Sequence, residues 1–281
     1  MEAAAPLPPL PAGKEALIAI RQLHKSFGPR RILRGIDLDI CRGETLCILG
    51  GSGSGKTTLI RHLMGMLRPD AGTITVLPPR DAPGSPFDLG AADAATVAAY
   101  RRRLGVVFQG AALLNSLTVL ENVGLPLVEV ERVGANEVYE RVVEALRRVY
   151  LPAQEILHLK PSNLSGGMRK RVGIARAIIQ RPEIILYDEP TTGLDPVTVT
   201  GVGELTMDLQ KKLGVTSIVI THDMQAAFTI ADRIAMLYLG RIIAIGPVDE
   251  FRQNPNPVVQ QLLTGSTTGP LTEAYLQGHA K

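Results

Sequence analysis

Eight consecutive residues, Gly50-Gly51-Ser52-Gly53-Ser54-Gly55-Lys56-Thr57, restrict the possible folds of this chain more than any other stretch. They fit the pattern G-x-x-x-x-G-K-[ST]. They lie between an apolar run, Thr45 to Leu49, and a helix-forming run from Lys56 to about Leu67 that Pro69 and Gly72 stop. Glycines let the backbone curl so that its N–H groups turn inward, at a helix N-terminus whose dipole favours negative charge. The loop therefore reads as a cradle for phosphate oxygens, with Lys56 neutralising the terminal phosphates and the Thr57 hydroxyl ligating Mg²⁺. A flexible Gly/Ser linker would need neither the lysine nor the apolar strand before it.

The rest of the chain alternates in the same way. Strand-like runs are expected at Leu17 to Leu23, Ile32 to Ile40, Thr73 to Leu77 and Leu104 to Phe108, with a surface loop over Pro78 to Gly90. From Gln109 to about Leu159 the pattern turns helical, and Val138, Val142, Leu146 and Val149 form one apolar stripe, interrupted by Pro126 and Pro152. Then come a helix Gly166 to Gln180, a strand Glu183 to Tyr187, a helix Val197 to Leu213 and a strand Val215 to Ile220. Short strands follow at Ile234 to Tyr238 and Ile242 to Ile245, and a short helix and polar tail from Phe251. Strands alternating with helices imply an α/β fold whose sheet is mostly parallel and covered on both faces.

Composition excludes several classes. Trp is absent and aromatics are 4% of the chain, which argues against a partner read by base stacking. The net charge is only +3, so no large basic field points to nucleic acid. The basic clusters Arg101-Arg102-Arg103 and Arg169-Lys170-Arg171 read as solvated helix faces. Cys41 and Cys47 are too few for a four-ligand zinc site and read as buried or half-buried thiols of a reducing compartment. No window reaches the ~18 apolar residues of a membrane span. Met1 to Gly13 is rich in Pro and Ala without a basic start, which reads as a disordered lead-in rather than a signal peptide.

Two further stretches carry chemistry. Ile184-Ile185-Leu186-Tyr187-Asp188-Glu189 is an apolar strand ending in two carboxylates, where a parallel sheet binds its ligands. Asp188 would hold Mg²⁺ through water, and Glu189 would polarise an attacking water. Leu164-Ser165-Gly166-Gly167-Met168 opens a helix whose N-terminus offers a hydroxyl and two unencumbered N–H groups, a plain N-cap or a second anion site.

Together and in this order, the phosphate loop, the Leu-Ser-Gly-Gly stretch and the Asp-Glu strand resemble the ATP-binding-cassette ATPases over roughly Ile18 to Gly246. The resemblance implies a P-loop NTPase core with an N-terminal antiparallel β subdomain, an inserted helical subdomain over about 110–165, and bound ATP and Mg²⁺. The expected division is a lead-in over 1–14, the ATPase domain over 15–246, and a C-terminal helix and tail over 247–281. The resemblance makes Gln109 a ligand of Mg²⁺ and the attacking water, His222 a γ-phosphate contact, and Phe27 an aromatic under the adenine. Thr58 joins the phosphate-binding set, and Asp195 stands at a subunit interface. A whole subdomain separates the phosphate loop from the Ser165 helix, and the resemblance implies that Ser165, Gly166 and Gly167 serve the nucleotide of a second copy in a head-to-tail dimer. Met168 stands where most relatives carry Gln, and Phe27 where Tyr is commoner.

Within that family, Phe108 to Leu127, Leu164 to Arg171 and Gln261 to Pro270 resemble the ATPases that drive phospholipid transport between bacterial membranes, as in the Mla (maintenance of lipid asymmetry) system. That resemblance implies a transmembrane permease and a mammalian-cell-entry-type lipid-binding subunit as partners, no nucleic acid, and a place on the cytoplasmic face of the inner membrane. An ATPase serving an amino acid, lipoprotein or drug transporter is the alternative. A DNA-repair cassette would carry a coiled-coil or zinc insertion, and a translation-factor chain two cassettes. A purely regulatory module would be expected to lack Glu189 or His222.

Overall fold

A computed structural model describes residues 7, 9–11, 13–82 and 84–273. Most of the expected lead-in (residues 1–6, 8 and 12) and residues 274–281 of the tail lie outside the described residues.

Two long strands open the fold, β1 (Ala16–Phe27) and β2 (Arg30–Cys41). With β4 (Ala71–Val76) and the two-residue β5 (Phe87–Asp88) they make an antiparallel sheet in the order β2-β1-β4-β5. β5 falls inside the stretch expected to be loop. The second sheet has six strands in the order β10-β9-β3-β8-β7-β6. These are β3 (Thr45–Leu49), β6 (Leu104–Val107), β7 (Ile184–Asp188), β8 (Thr216–Thr221), β9 (Arg233–Tyr238) and β10 (Arg241–Pro247). All its neighbours run parallel except β10 against β9.

The strands of this sheet are apolar without a break because both faces are covered. In β3, Leu46 and Ile48 join one core cluster while Cys47 and Leu49 join the other. In β7, Ile184 and Leu186 turn to the first and Ile185 and Tyr187 to the second. The first core fills the space under the antiparallel sheet and helix α1 (Lys56–Leu63).

The second core lies under the remaining helices. These include α3 (Val119–Pro126), α4 (Ala135–Arg148), the one-turn α5 (Ala153–Ile156), α6 (Gly166–Ile178) and α7 (Pro196–Leu213). Val138, Val142, Leu146 and Val149 are all buried there, as the stripe in the sequence requires. Pro126 ends α3, and the chain continues as a π-helical turn over Leu127–Glu131. Thr118 and Glu121 close a reciprocal capping box at the start of α3. Between β5 and β6, where the sequence suggested no element, stands α2 (Ala94–Arg101), and a second unanticipated helix, α8 (Met224–Ile230), follows β8. Two short helices, α9 (Val248–Arg252) and α10 (Pro257–Thr264), follow β10, and the Tyr238 hydroxyl donates to the carbonyl of Pro270 at 3.0 Å.

The basic clusters are not simply solvated. Arg103 is paired with Glu183 at 2.7 Å, and Lys170 is buried. A cation can leave water only where carbonyls or carboxylates replace it. For Arg103 that group is Glu183, and for Lys170 it is the carbonyl oxygen of Gln109.

Candidate nucleotide site

Three strands of the parallel sheet end at one edge, and each delivers a part of the site. β3 runs into the Gly-rich loop, β7 ends at Asp188, and β8 ends one residue before His222. Gly55 caps α1 with φ of 111°, a conformation a side chain resists. A Cβ at Gly50 would lie 2.5 Å from the carbonyl oxygen of Leu237, so the loop can pass the sheet only as glycine.

Arg30, Ile32, Ser52, Gly53, Ser54, Gly55, Lys56, Thr57, Thr58, Gln109, Asp188, Glu189 and His222 line a cleft of about 700 Å³. Lys56 Nζ donates to the carbonyls of Gly50 at 2.6 Å and Gly51 at 3.0 Å, and stands 3.9 Å from Glu189 Oε1. Burial holds its ammonium below the ordinary lysine range, while the charges of Glu189 and Asp188 act the other way. Burial raises the Asp188 carboxyl first, the neighbouring Glu189 adds to it, and Lys56 and Arg61 oppose.

Glu189 is held in the left-handed region, φ 50°, with its N–H bonded to the carbonyl of Ile220 at 2.9 Å. Its Oε2 lies 2.7 Å from His222 Nδ1 and accepts from Thr192 Oγ1 at 3.3 Å. An ionised carboxylate only accepts, so this contact places the imidazole proton on Nδ1.

The site fits a nucleoside triphosphate and Mg²⁺. Among the described residues Ser54 Oγ, buried at the loop, has no hydrogen-bond partner, and it is a donor available to a phosphate oxygen. Among the described residues no cluster of three His, Cys, Asp or Glu could cage a metal. Mg²⁺ needs none, since it is held by one or two protein oxygens and the substrate's phosphates, and Thr57 and Asp188 both line the cleft.

Other anticipated residues stand elsewhere. Phe27, 49% exposed at the β1–β2 turn, lies outside the cleft lining. Ser165 caps α6 by accepting from Met168 N–H at 3.2 Å, and Ser165 and Gly166 are exposed away from the cleft. Asp195 caps α7 and accepts from Thr198 Oγ1 at 2.6 Å, and a Cβ at Gly167 would lie 2.8 Å from Thr198 Cγ2. The structure thus gathers Ser165–Gly167 and Asp195 into a second surface of the same molecule. Sequence reading missed Arg30 and Ile32, which sit in a strand with no motif to mark them.

A family model described as ABC transporter matches residues 33–192. The Arabidopsis thaliana protein trigalactosyldiacylglycerol 3, chloroplastic, is 38% identical over 92% of this chain and 76% of its own length. A probable ribonucleotide transport ATP-binding protein of Mycobacterium leprae is 36% identical over 90% of this chain and 70% of its own. Among solved structures, a dimeric ATP-binding cassette in a post-hydrolysis state with ADP and Pi superposes with a TM-score of 0.71 at 32% identity. That match covers 82% of this chain and 98% of the cassette.

Proposed function

The chain belongs to the ABC transporter family, and on that premise we propose that it drives phospholipid transport between bacterial membranes. It is an ATP-hydrolysing, nucleotide-binding subunit that uses Mg²⁺. The observation that carries the assignment of roles is the Glu189–His222 contact placed beside Lys56 at the mouth of the phosphate loop. In this reading the loop residues Gly50 to Thr58 hold the phosphates, and Thr57, Asp188 and Gln109 hold Mg²⁺. Glu189 orients and polarises the attacking water, and His222 fixes Glu189 and reaches the terminal phosphate. Phe27 packs against the base. Ser165, Gly166 and Gly167 reach the nucleotide of a second copy, with Asp195 beside them at the interface.

Among the described residues no helix is long and apolar enough to cross a membrane, so movement of cargo falls to a transmembrane permease. An apolar groove of about 460 Å³ between α3 and α4, lined by Leu117, Leu120, Leu125, Val128 and Val133, supports docking there. Leu114 is 47% exposed, whereas Leu113 packs against the core.

The lipid reading rests on the resemblance of Phe108 to Leu127, Leu164 to Arg171 and Gln261 to Pro270, and on a relative named for a glycerolipid. A mammalian-cell-entry-type subunit and the cytoplasmic face of an inner membrane belong to that reading. The name of the mycobacterial relative favours a ribonucleotide cargo instead. The test is to reconstitute the copurified complex in liposomes and follow labelled phospholipid with wild-type and Glu189→Gln subunits. Lipid movement that needs ATP and Glu189 is expected. ATPase stimulation by a ribonucleotide or an amino acid, without lipid movement, assigns the subunit to another transporter.

A further inference from the structure

Just beyond the cleft the chain makes an unusual bend. Gln109 follows β6, and Ala111 and Ala112 both adopt positive φ, 61° and 46°, without being glycine. Such residues persist only where surrounding contacts hold them. Those contacts come from one face of α6. The buried ammonium of Lys170 donates to the carbonyl oxygen of Gln109. Arg176 Nη2 donates to the carbonyl of Ala111 at 2.6 Å, and its Nη1 to that of Ala112 at 2.8 Å.

Between them stands Gly173, where an added Cβ would come within 3.1 Å of Ala111 Cβ. Lys170, Gly173 and Arg176 are spaced three apart and share one side of the helix. The partners of Lys170 and Arg176 are main-chain oxygens, so these two side chains fix the path of the segment through its backbone. Lys170 is also within the field of Glu189, whose charge partly offsets the burial that lowers its ammonium.

The helix that grips Gln109 is the one that begins at Ser165, Gly166 and Gly167. We propose that Lys170, with Arg176, is a positioning residue for ATP hydrolysis. It fixes Gln109 in the cleft through the backbone, so that displacement of α6 by the partner's nucleotide resets Gln109 in this chain's own site. This rests on the reading that Gln109 serves the nucleotide in its own cleft and that Ser165–Gly167 serve the partner's. A rigid helix joined at its end to one ligand and along its side to the other site is a physical route for coupling.

The test is a double-mutant cycle on the full chain with Mg²⁺ and ATP. Lys170→Met should lower kcat about tenfold while KM for ATP stays within about twofold, and Lys170→Arg should keep most of the turnover. In a Gln109→Ala background the same Lys170→Met change should cost less than about twofold more, because the group it positions is already gone. Equal losses in both backgrounds would show a merely structural lysine and overturn the proposal. Normal turnover of Lys170→Met beside an impaired Gln109→Ala overturns it alone. Normal turnover of Gln109→Ala removes the reading of Gln109 and the proposal with it. Should Lys170→Met not fold, Gly173→Ala, which presses on Ala111 without touching the lysine, supplies the same comparison against Gln109→Ala.

Discussion

His222 Nδ1 lies 2.7 Å from Glu189 Oε2, although the two residues are 33 apart in the chain and leave different strands. β7 and β8 are neighbours in the sheet, with Asp188 opposite Ile220, and their ends therefore deliver both side chains to one point. The left-handed turn at Glu189 directs its carboxylate toward the histidine and the lysine of the phosphate loop.

Glu189→Gln keeps the shape of the side chain but cannot accept a proton. Turnover should fall by about 10²- to 10⁴-fold with ATP affinity retained. The ATP-bound dimer should then accumulate on a sizing column. Turnover at the wild-type rate would falsify the role given to Glu189.

Ser54 Oγ is buried with no partner among the described residues, which costs stability that a bound phosphate would recover. Ser54→Ala should therefore stabilise the nucleotide-free protein by about 1 kcal/mol, roughly 2 °C in Tm. It should also shrink the rise in Tm on adding ATP and Mg²⁺. A lower nucleotide-free Tm would mean that the hydroxyl is satisfied in solution.

If Ser165 serves the opposite nucleotide, a cysteine there should crosslink to one in the partner's phosphate loop. The native thiols Cys41 and Cys47 are buried and will not compete. Mixed Ser165→Cys and Ser52→Cys chains are expected to yield covalent dimers with ATP bound in a Glu189→Gln background. Crosslinks in the doubly substituted chain that form only within single chains count against the head-to-tail arrangement.

Arg233 and Glu44 form a buried ion pair at 3.1 Å, with side chains 4% and 2% exposed, between the β2–β3 turn and the start of β9. Arg233 also donates to the carbonyl of Asp39, and Glu44 Oε1 accepts from Cys41 N–H at 2.7 Å. Burial pushes the Glu44 carboxyl upward, and both the Cys41 N–H and Arg233 oppose it. Arg233→Met should cost about 3–5 kcal/mol by leaving that carboxylate unpaired, and adding Glu44→Gln should recover part of the loss. Urea melts of the two variants measure both numbers.

Burial and then the nearby Glu44 charge push the Cys41 thiol up to about 11, and burial raises Cys47 further. A raised pKa leaves little thiolate at neutral pH, and burial blocks the reagent as well. Maleimide at pH 7 should therefore label neither cysteine in the folded protein and both in denaturant. Rapid labelling of the native chain would show that the β2–β3 turn opens.

Local chemistry made much of the core readable without a structure. The phosphate loop, its strand and its helix are contiguous, so chain order alone specifies their geometry. β3 and β7 were legible because burial on both faces forces an unbroken apolar run. Helices α2 and α8 were not. α2 reads Ala-Ala-Thr-Val-Ala-Ala-Tyr-Arg and buries only Tyr100, so it carries no apolar stripe, and α8 spans barely two turns.

The sequence alone determined the family of folds, the phosphate-binding loop and the carboxylates at the end of β7, because each is written in adjacent residues. Only the tertiary structure decided which distant side chains meet them. It brought Arg30 and Ile32 of β2 to the cleft, set Phe27 outside it, and paired His222 with Glu189. It also buried Lys170 against the carbonyl of Gln109, where the sequence showed a basic run fit for solvent. Periodicity records which face of a helix is apolar, but a buried cation is set by what a different segment offers it, and that is known only once the two are packed together.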